Sequence, residues 1–212
     1  MRQVGYNKVR DVRGCMAQMT IDGETRPFGY VIERDPARKK DGFILRGAEA
    51  DIVTARFGKL DANGDFVHKA EPIGRTALEQ AFRAGTAALG DDPVNQRAAI
   101  MMRAMTGKSS PDKAAQSRRD DDIEPTGSCR VLKPGESYTC PLMAEWSNPL
   151  MGMLGQNDRE IVSGEFTFER NAAGATPAWR VSADFTDEFQ RAQLATLKKK
   201  AAAEAAAASA AK

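Results

Sequence analysis

The chain has 212 residues, of which 42% are hydrophobic and 28% are charged, and its formal net charge at pH 7 is +2. This composition excludes wholesale disorder, and the small net charge gives no general indication of a nucleic-acid partner. No apolar run approaches the roughly 18 residues that span a bilayer, and the basic N-terminus lacks the apolar stretch of a secretory signal. We therefore expect a soluble, cytoplasmic protein without a membrane partner.

The first third of the chain shows the alternation of apolar and polar residues that is typical of strands. This alternation runs through residues 15–21 and 28–32, and an Asp-Gly pair at 22–23 separates the two runs. Because Asp-Gly tolerates positive φ in a tight turn, the segment predicts a β-hairpin. Residues 52–60 and 66–73 flank another turn-forming stretch and predict a second hairpin.

The middle of the chain predicts two helices. Residues 76–79, Thr-Ala-Leu-Glu, match a capping box, and Gly90 is a typical stop for the helix that follows it. Asp92 and Pro93 are favourable residues at the start of a second helix. The apolar face of that helix includes Met101, Met102 and Met105.

Strands return in the second half, after a polar segment at 106–127 that we interpret as an exposed loop or linker. The clearest strand pair is formed by residues 165–169 and 179–185, since apolar and polar residues alternate in both. Residues 148–155 are rich in Gly, Met and Pro and predict a packed loop.

The C-terminus predicts a helix that begins after Thr186 and continues into an almost continuous run of alanine, the residue with the highest helix propensity. Together these patterns predict an α+β fold. It consists mainly of antiparallel sheet built from hairpins, with two central helices and an Ala-rich C-terminal helix. We expect a main domain at 1–185 and a helical tail at 186–212.

Three cysteines, Cys15, Cys129 and Cys140, are too few for a disulfide framework. Cys129 and Cys140 would close a small loop in an oxidising compartment and would remain thiols in the cytoplasm, so both alternatives stand. A chain with one histidine has no two- or three-histidine zinc site, and the cysteine spacings match no zinc knuckle. Without a phosphate-binding glycine motif, the sequence predicts neither a metal nor a cofactor.

Residues 61–65, Asp-Ala-Asn-Gly-Asp, resemble the start of a calcium-binding loop. Such a loop needs Gly at its sixth position and Glu at its twelfth. These positions hold Phe66 and Pro72 in this chain. A tight turn explains the same residues through the geometry of the Asn-Gly pair, and we predict a turn.

His68 is the only histidine and the most plausible general base. No nucleophile signature accompanies it, so we predict no catalytic residue and interpret His68 as a partly exposed strand residue. An enzyme of unknown class built around His68 is retained as an alternative.

The absence of catalytic and cofactor motifs favours a non-catalytic structural or assembly protein, such as a phage virion component, that contacts other subunits in a homo- or hetero-oligomer. The Ala-rich helix supports this interpretation, since short isolated helices are marginal in water. The candidate partner-binding residues are Phe189, Leu194, Leu197, Lys198, Lys199, Lys200, Met151 and Met153.

A second alternative is a nucleic-acid-binding protein without sequence specificity. It would use the basic termini, because residues 1–13 carry a net charge of +3 and residues 191–212 a net charge of +4. Lysine and arginine side chains bind phosphates irrespective of base sequence.

Overall fold

The computed structural model describes residues 1–21, 23–35, 42–91, 101, 104, 122–147 and 159–210. The chain forms two compact units, Met1–Lys69 and Ala70–Lys212. Over the described ranges there are two antiparallel sheets and three helices, one of them at the C-terminus. The predicted α+β class is therefore confirmed. None of the helices within these ranges combines the length and the apolar character that crossing a bilayer requires.

The first unit contains a four-stranded sheet and one helix. The sheet order is β1-β2-β3-β4, and every pair is antiparallel. The predicted first hairpin is confirmed, with Ile21 opposite Glu24 and Gly23 at a φ of +82°. The elements are β1 (Arg2–Asn7), β2 (Val12–Ile21), β3 (Glu24–Arg34), β4 (Phe43–Ala48) and α1 (Ala50–Phe57).

The second predicted hairpin is wrong, because residues 50–57 form helix α1. Ile52, Val53 and Phe57 recur at helical spacing and are all buried. Burial of this face overrides the strand preference of the β-branched residues. The side chain of Phe57 lies over Gly14 of β2, where a Cβ atom would come within 2.2 Å of the ring, so glycine permits this close approach.

The second unit contains a five-stranded sheet and two helices. The order is β5-β7-β8-β9, and β6 also pairs with β7. The pairing of β8 with β9 confirms the strand pair predicted from alternation, but the second strand ends at Val181, so its predicted extension to Phe185 is wrong and Phe185 begins the C-terminal helix. The elements are α2 (Arg75–Asp91), β5 (Ile123–Pro125), β6 (Arg130–Lys133), β7 (Ser137–Ser147), β8 (Arg159–Arg170), β9 (Trp179–Val181) and α3 (Phe185–Ala210).

Aromatic rings from both helices and the sheet form the core of the second unit. The ring of Phe82 on α2 lies 5.0 Å from that of Phe166 on β8 and 5.4 Å from that of Phe185 on α3, centroid to centroid. The ring of Phe189 lies 5.4 Å from Trp146 of β7. These edge-on contacts fix both helices on the sheet.

Two further boundaries differ from the expectations. Helix α2 begins at Arg75, so Thr76 lies inside it and is not its N-cap. The polar segment 106–127 was predicted to be an exposed loop, but residues 123–125 form the buried strand β5. The rest of that segment up to residue 121, the loop at 148–155 and the second central helix lie outside the described residues, except that Met101 and Ala104 are helical.

Candidate protein-interaction surfaces

Helix α3, in which most of the predicted partner-binding residues lie, is 26 residues and about 39 Å long. Its N-terminal half packs onto the sheet of the second unit. Phe185, Phe189 and Ala192, spaced by four and three residues, are buried. Phe189 is only 2% exposed, so its side chain supports the helix from the core and does not form part of its outer surface.

Four other predicted residues are exposed on α3. Leu194 and Leu197 lie one turn apart and are 58% and 53% exposed. Lys198 and Lys199 follow them and are also exposed. The side chain of Lys200, together with Met151 and Met153, lies outside the described residues. Leu197 and Lys198 lie three and four residues after Leu194 and share its side of the helix, whereas Lys199 lies towards another side. We name these four exposed residues the α3 surface.

A carboxylate locks α3 to the sheet beneath it. Both oxygens of Glu188 accept hydrogen bonds from Thr167 of β8, Oε2 from the backbone N–H at 2.9 Å and Oε1 from the hydroxyl at 2.7 Å. Nearby, a Cβ atom on Gly164 would come within 2.8 Å of the Ala192 Cβ, so the helix and strand lie very close together. The α3 surface is thus held in a fixed orientation on the second unit.

The turn at 61–65 forms a polar cluster in the first unit. Oδ1 of Asp61 accepts hydrogen bonds from the backbone N–H groups of Asn63 and Asp65, both at 2.9 Å. The Lys69 ammonium lies 3.2 Å from a carboxylate oxygen of each aspartate. Asn7, which is fully buried, donates to Asp65 Oδ1 at 2.9 Å. The predicted turn is confirmed, and sequence reasoning missed Asn7 and Lys69.

These contacts change the acidity of the cluster. Hydrogen bonding from the backbone of Asp65 lowers the pKa of Asp61, and hydrogen bonding from Asn7 lowers the pKa of Asp65, with Lys69 contributing to both. Hydrogen bonds to the two carboxylates raise the pKa of Lys69. The cluster therefore favours the charged forms of all three side chains.

An open cleft of about 450 Å³ lies on the first unit and is lined by Tyr6, Asp11, Arg13, Ile32, Arg34 and Phe43. The hydroxyl of Tyr6 donates to Asp11 Oδ1 at 2.7 Å, and the Arg34 guanidinium contacts the other oxygen of that carboxylate. The pKa of Asp11 is lowered by hydrogen bonds from Arg34 and Tyr6, and that of Tyr6 is raised by its bond to Asp11.

The basic N-terminal segment is largely engaged within its own unit. The Arg13 guanidinium lies 4.7 Å from the centroid of the Tyr6 ring, and that of Arg10 lies 5.6 Å from the Phe66 ring. Arg10 also lies 3.8 Å from a carboxylate oxygen of Asp65. These contacts reduce the number of cations that this terminus offers to phosphates.

His68 is half-buried and lies outside any strand, contrary to the prediction. It lines neither the cleft around Tyr6 and Asp11 nor a second cleft, which includes Thr139, Thr167 and Glu188. Within the described part of the chain, no group of three or more His, Cys, Asp or Glu side chains is arranged to hold a metal ion. Cys129 and Cys140 form a disulfide, and Cys15 is a buried free thiol. Of the two alternatives for Cys129 and Cys140, free thiols or a disulfide, the structure has the disulfide.

The fold and these surfaces describe an α+β protein that exposes large apolar side chains on helix α3 and on strands, among other places. In comparisons with protein-family models, curated proteins and solved structures, none matches this chain.

Proposed function

We propose that this chain is a non-catalytic structural or assembly protein that acts through protein–protein contacts, with the α3 surface as its contact site. A component of a phage virion or of a similar multi-subunit assembly is the concrete form of this proposal. The observation that supports it is the exposure of Leu194 and Leu197 on a helix whose opposite side is locked into the core.

Burial of these two leucines would supply much of the binding energy. A leucine side chain contributes about 1.5–3 kcal/mol when it moves from water to a fully apolar environment. Lys198 and Lys199, which follow them in the chain, would suit a partner with acidic residues around an apolar centre, because charge complementarity selects the partner and speeds its association.

The Cys129–Cys140 disulfide indicates in which compartment the proposed assembly would be found. Disulfides persist in oxidising environments, including virion surfaces, and are rare in the cytosol. Synthesis in the cytoplasm followed by exposure on an assembled particle would accommodate both the predicted location and the Cys129–Cys140 bond.

The test is size-exclusion chromatography with light scattering and absorbance ratio, on the full chain alone and mixed with extract of the cells that produce the assembly. The variant carries Leu194→Lys and Leu197→Lys. The control carries Thr186→Lys and Gln190→Lys, which add the same charge at exposed positions of the same helix. The test uses substitutions because a truncation from residue 186 onward would delete the buried ring of Phe189.

We expect a defined protein complex for the parent and the control, and a smaller species for the leucine variant. A parent chain that remains a monomer without any protein partner would contradict the proposal. Co-eluting nucleic acid that is lost when Lys198 and Lys199 are replaced by glutamate would instead favour the nucleic-acid alternative.

A further inference from the structure

Strand β4 is the least protected edge among the described strands. Proteins usually protect such edges with bulges, prolines, charged residues or very short strands, since an open edge can pair with another chain. The opposite edge of the same sheet, β1, has an irregular register between Gln3 and Gly5, and β6 has one between Val131 and Lys133. Strands β5 and β9 are three residues long. By contrast, β4 pairs with β3 without interruption over six residues.

The side chains of β4 are exposed on both faces of the sheet. Phe43 and Leu45 are each 65% exposed on the face away from α1, and Ile44 is 37% exposed on the α1 face. Docking against a flat surface would cover only one of these faces. Addition of another strand at the edge would place neighbours beside the side chains on both.

We propose that β4 pairs in an antiparallel manner with β4 of a second copy of this chain, with Leu45 opposite Leu45 on a two-fold axis. The result is a continuous eight-stranded sheet across two subunits. This inference rests on the proposed assembly function and adds to it a second contact site, which involves neither α3 nor the second unit.

The sequence of β4 is complementary to itself in this register. Phe43 lies opposite Gly47 of the second copy, so each of the two Phe43 rings faces a residue without a side chain. Ile44 lies opposite Arg46. Gly47 is already covered by Phe28, since a Cβ atom there would lie 3.2 Å from its ring. Phe43 of the second copy would therefore extend an existing aromatic cluster.

Charge disfavours one of the neighbouring registers. Pairing centred on Arg46 would place two guanidinium groups directly opposite each other, which is destabilising. In the Leu45-centred register, Arg46 of the second copy reaches over Ile44 towards Glu33. Glu33 is the neighbour of Ile44 on β3 and lies on the same face.

The expected dimer is weak. Pairing of two six-residue strands buries less than the roughly 1,200 Å² of a standard stable interface, so dimerisation should depend steeply on concentration. A subunit with one two-fold contact at β4 and another contact at α3 has the two interfaces that a larger assembly requires.

Sedimentation velocity of the full chain over a wide concentration range tests the contact. The variant is Leu45→Lys, which places two ammonium groups opposite each other at the axis. The control is Val131→Lys, an exposed edge-strand residue of the other unit. We expect a monomer–dimer equilibrium for the parent and the control, and at least tenfold weaker dimerisation for Leu45→Lys. A parent that stays monomeric, or a Leu45→Lys variant that dimerises as the parent does, overturns the proposal.

Cysteine cross-linking tests the register. Directly opposite residues have Cα atoms about 4.5–5.5 Å apart, within the range that a disulfide spans. The two Phe43 residues would be separated along the strands by four residue steps, about 13 Å. Under mild oxidation, Leu45→Cys should give a covalent dimer and Phe43→Cys should not. Equal yields, or no dimer from Leu45→Cys, contradict this pairing.

The two proposals fail independently. The α3 variant with Leu194→Lys and Leu197→Lys should retain the β4 dimer, and Leu45→Lys should retain binding at α3. Loss of β4 dimerisation in the α3 variant would show that self-association uses α3, and would overturn the inference while leaving the proposed function in place.

Discussion

Arg75 and Glu124 form an ion pair in the interior of the second unit. The Nη1 group of Arg75 donates to Oε1 of Glu124 at 3.1 Å, its Nη2 group contacts Oε2, and the two residues are 8% and 2% exposed. The pair joins the first residue of α2 to the short strand β5. It thereby holds a helix and a strand that are 49 positions apart in the sequence.

We expect Glu124→Gln to lower the free energy of unfolding by about 3–5 kcal/mol, because removing one partner leaves a buried charge uncompensated. Urea unfolding measures the change. Glu79→Gln is the matched control, since Glu79 pairs with the same arginine at 3.2 Å from a more exposed position, and should cost less than about 1 kcal/mol. The double change Arg75→Met with Glu124→Leu should recover most of the loss. Equal losses for Glu124→Gln and Glu79→Gln would contradict this account.

The Cys129–Cys140 bond should stabilise the second unit by restricting the unfolded chain. The two cysteines are 11 positions apart, and closing a loop of this length contributes about 3 kcal/mol. Cys129→Ser should lower the unfolding free energy by that amount, and added reductant should have no further effect on this variant. Thiol titration in denaturant provides the chemical check. For the parent protein, we expect one reactive thiol per chain before reduction and three after it. Three reactive thiols before reduction would exclude the bond.

Acid should destabilise the first unit through the cluster at 61–65. The folded-state pKa values of Asp61 and Asp65 are lowered, so their contribution is complete above the ordinary aspartate value, about 4, and is lost as the pH falls through the folded values. Far-UV circular dichroism at successive pH values follows this loss. Asp65→Asn should make the acid dependence shallower, whereas Asp51→Asn, at an exposed position, should leave it unchanged. If Asp65→Asn lost structure at the same pH and with the same steepness as the parent, the acid sensitivity would not arise from this cluster.

At alkaline pH, the stability of the first unit should fall as the pH rises, through Lys69. The pKa of Lys69 is raised in the folded state, so its contribution is complete below the ordinary lysine value and is lost as the pH rises through the folded value. Lys69→Met should therefore flatten the stability profile above about pH 10.4. Lys59→Met, at another exposed lysine of the same unit, should keep the slope of the parent.

The effect of a substitution in α3 on the stability of the second unit should depend on the side of the helix that the residue occupies. Phe189→Ala should destabilise the second unit by about 3–5 kcal/mol, since it removes a ring in contact with Phe82, Trp146 and Phe166. Leu194→Ala changes an exposed position and should shift stability by no more than about 0.5 kcal/mol. Thermal unfolding of the two variants separates them. Similar losses would mean that Leu194 is buried in solution.

Local patterns predicted those elements that local chemistry determines. The hairpin of β2 and β3 follows from alternation around an Asp-Gly pair, and α3 follows from alanine content. Helix α1 and strand β5 depend on distant partners instead. Phe57 packs where Gly14 leaves room, and Glu124 is buried because Arg75 reaches it. The helical spacing of residues 52–57 is visible in the sequence, but the partners that bury Phe57 and Glu124 lie far away in the chain.

The same reasoning applies to the candidate surfaces. The sequence indicated that α3 would present apolar residues to a partner, but it did not separate Phe189 on the core side from Leu194 on the outer side. That distinction depends on the sheet beneath the helix. The exposed edge at Phe43 and Leu45 was not predicted, because residues 43–48 lack the alternation of apolar and polar residues that indicates a strand, although β4 follows β3 in the chain and pairs with it.

The division of the chain at Lys69 has a consequence for spectroscopy. Both tryptophans, Trp146 and Trp179, belong to the unit that begins at Ala70. Indole emission therefore originates in one unit alone, whereas far-UV circular dichroism reports on the helices and strands of both units. Comparing emission with circular dichroism in a single denaturation experiment would thus reveal whether the chain has one cooperative transition or two.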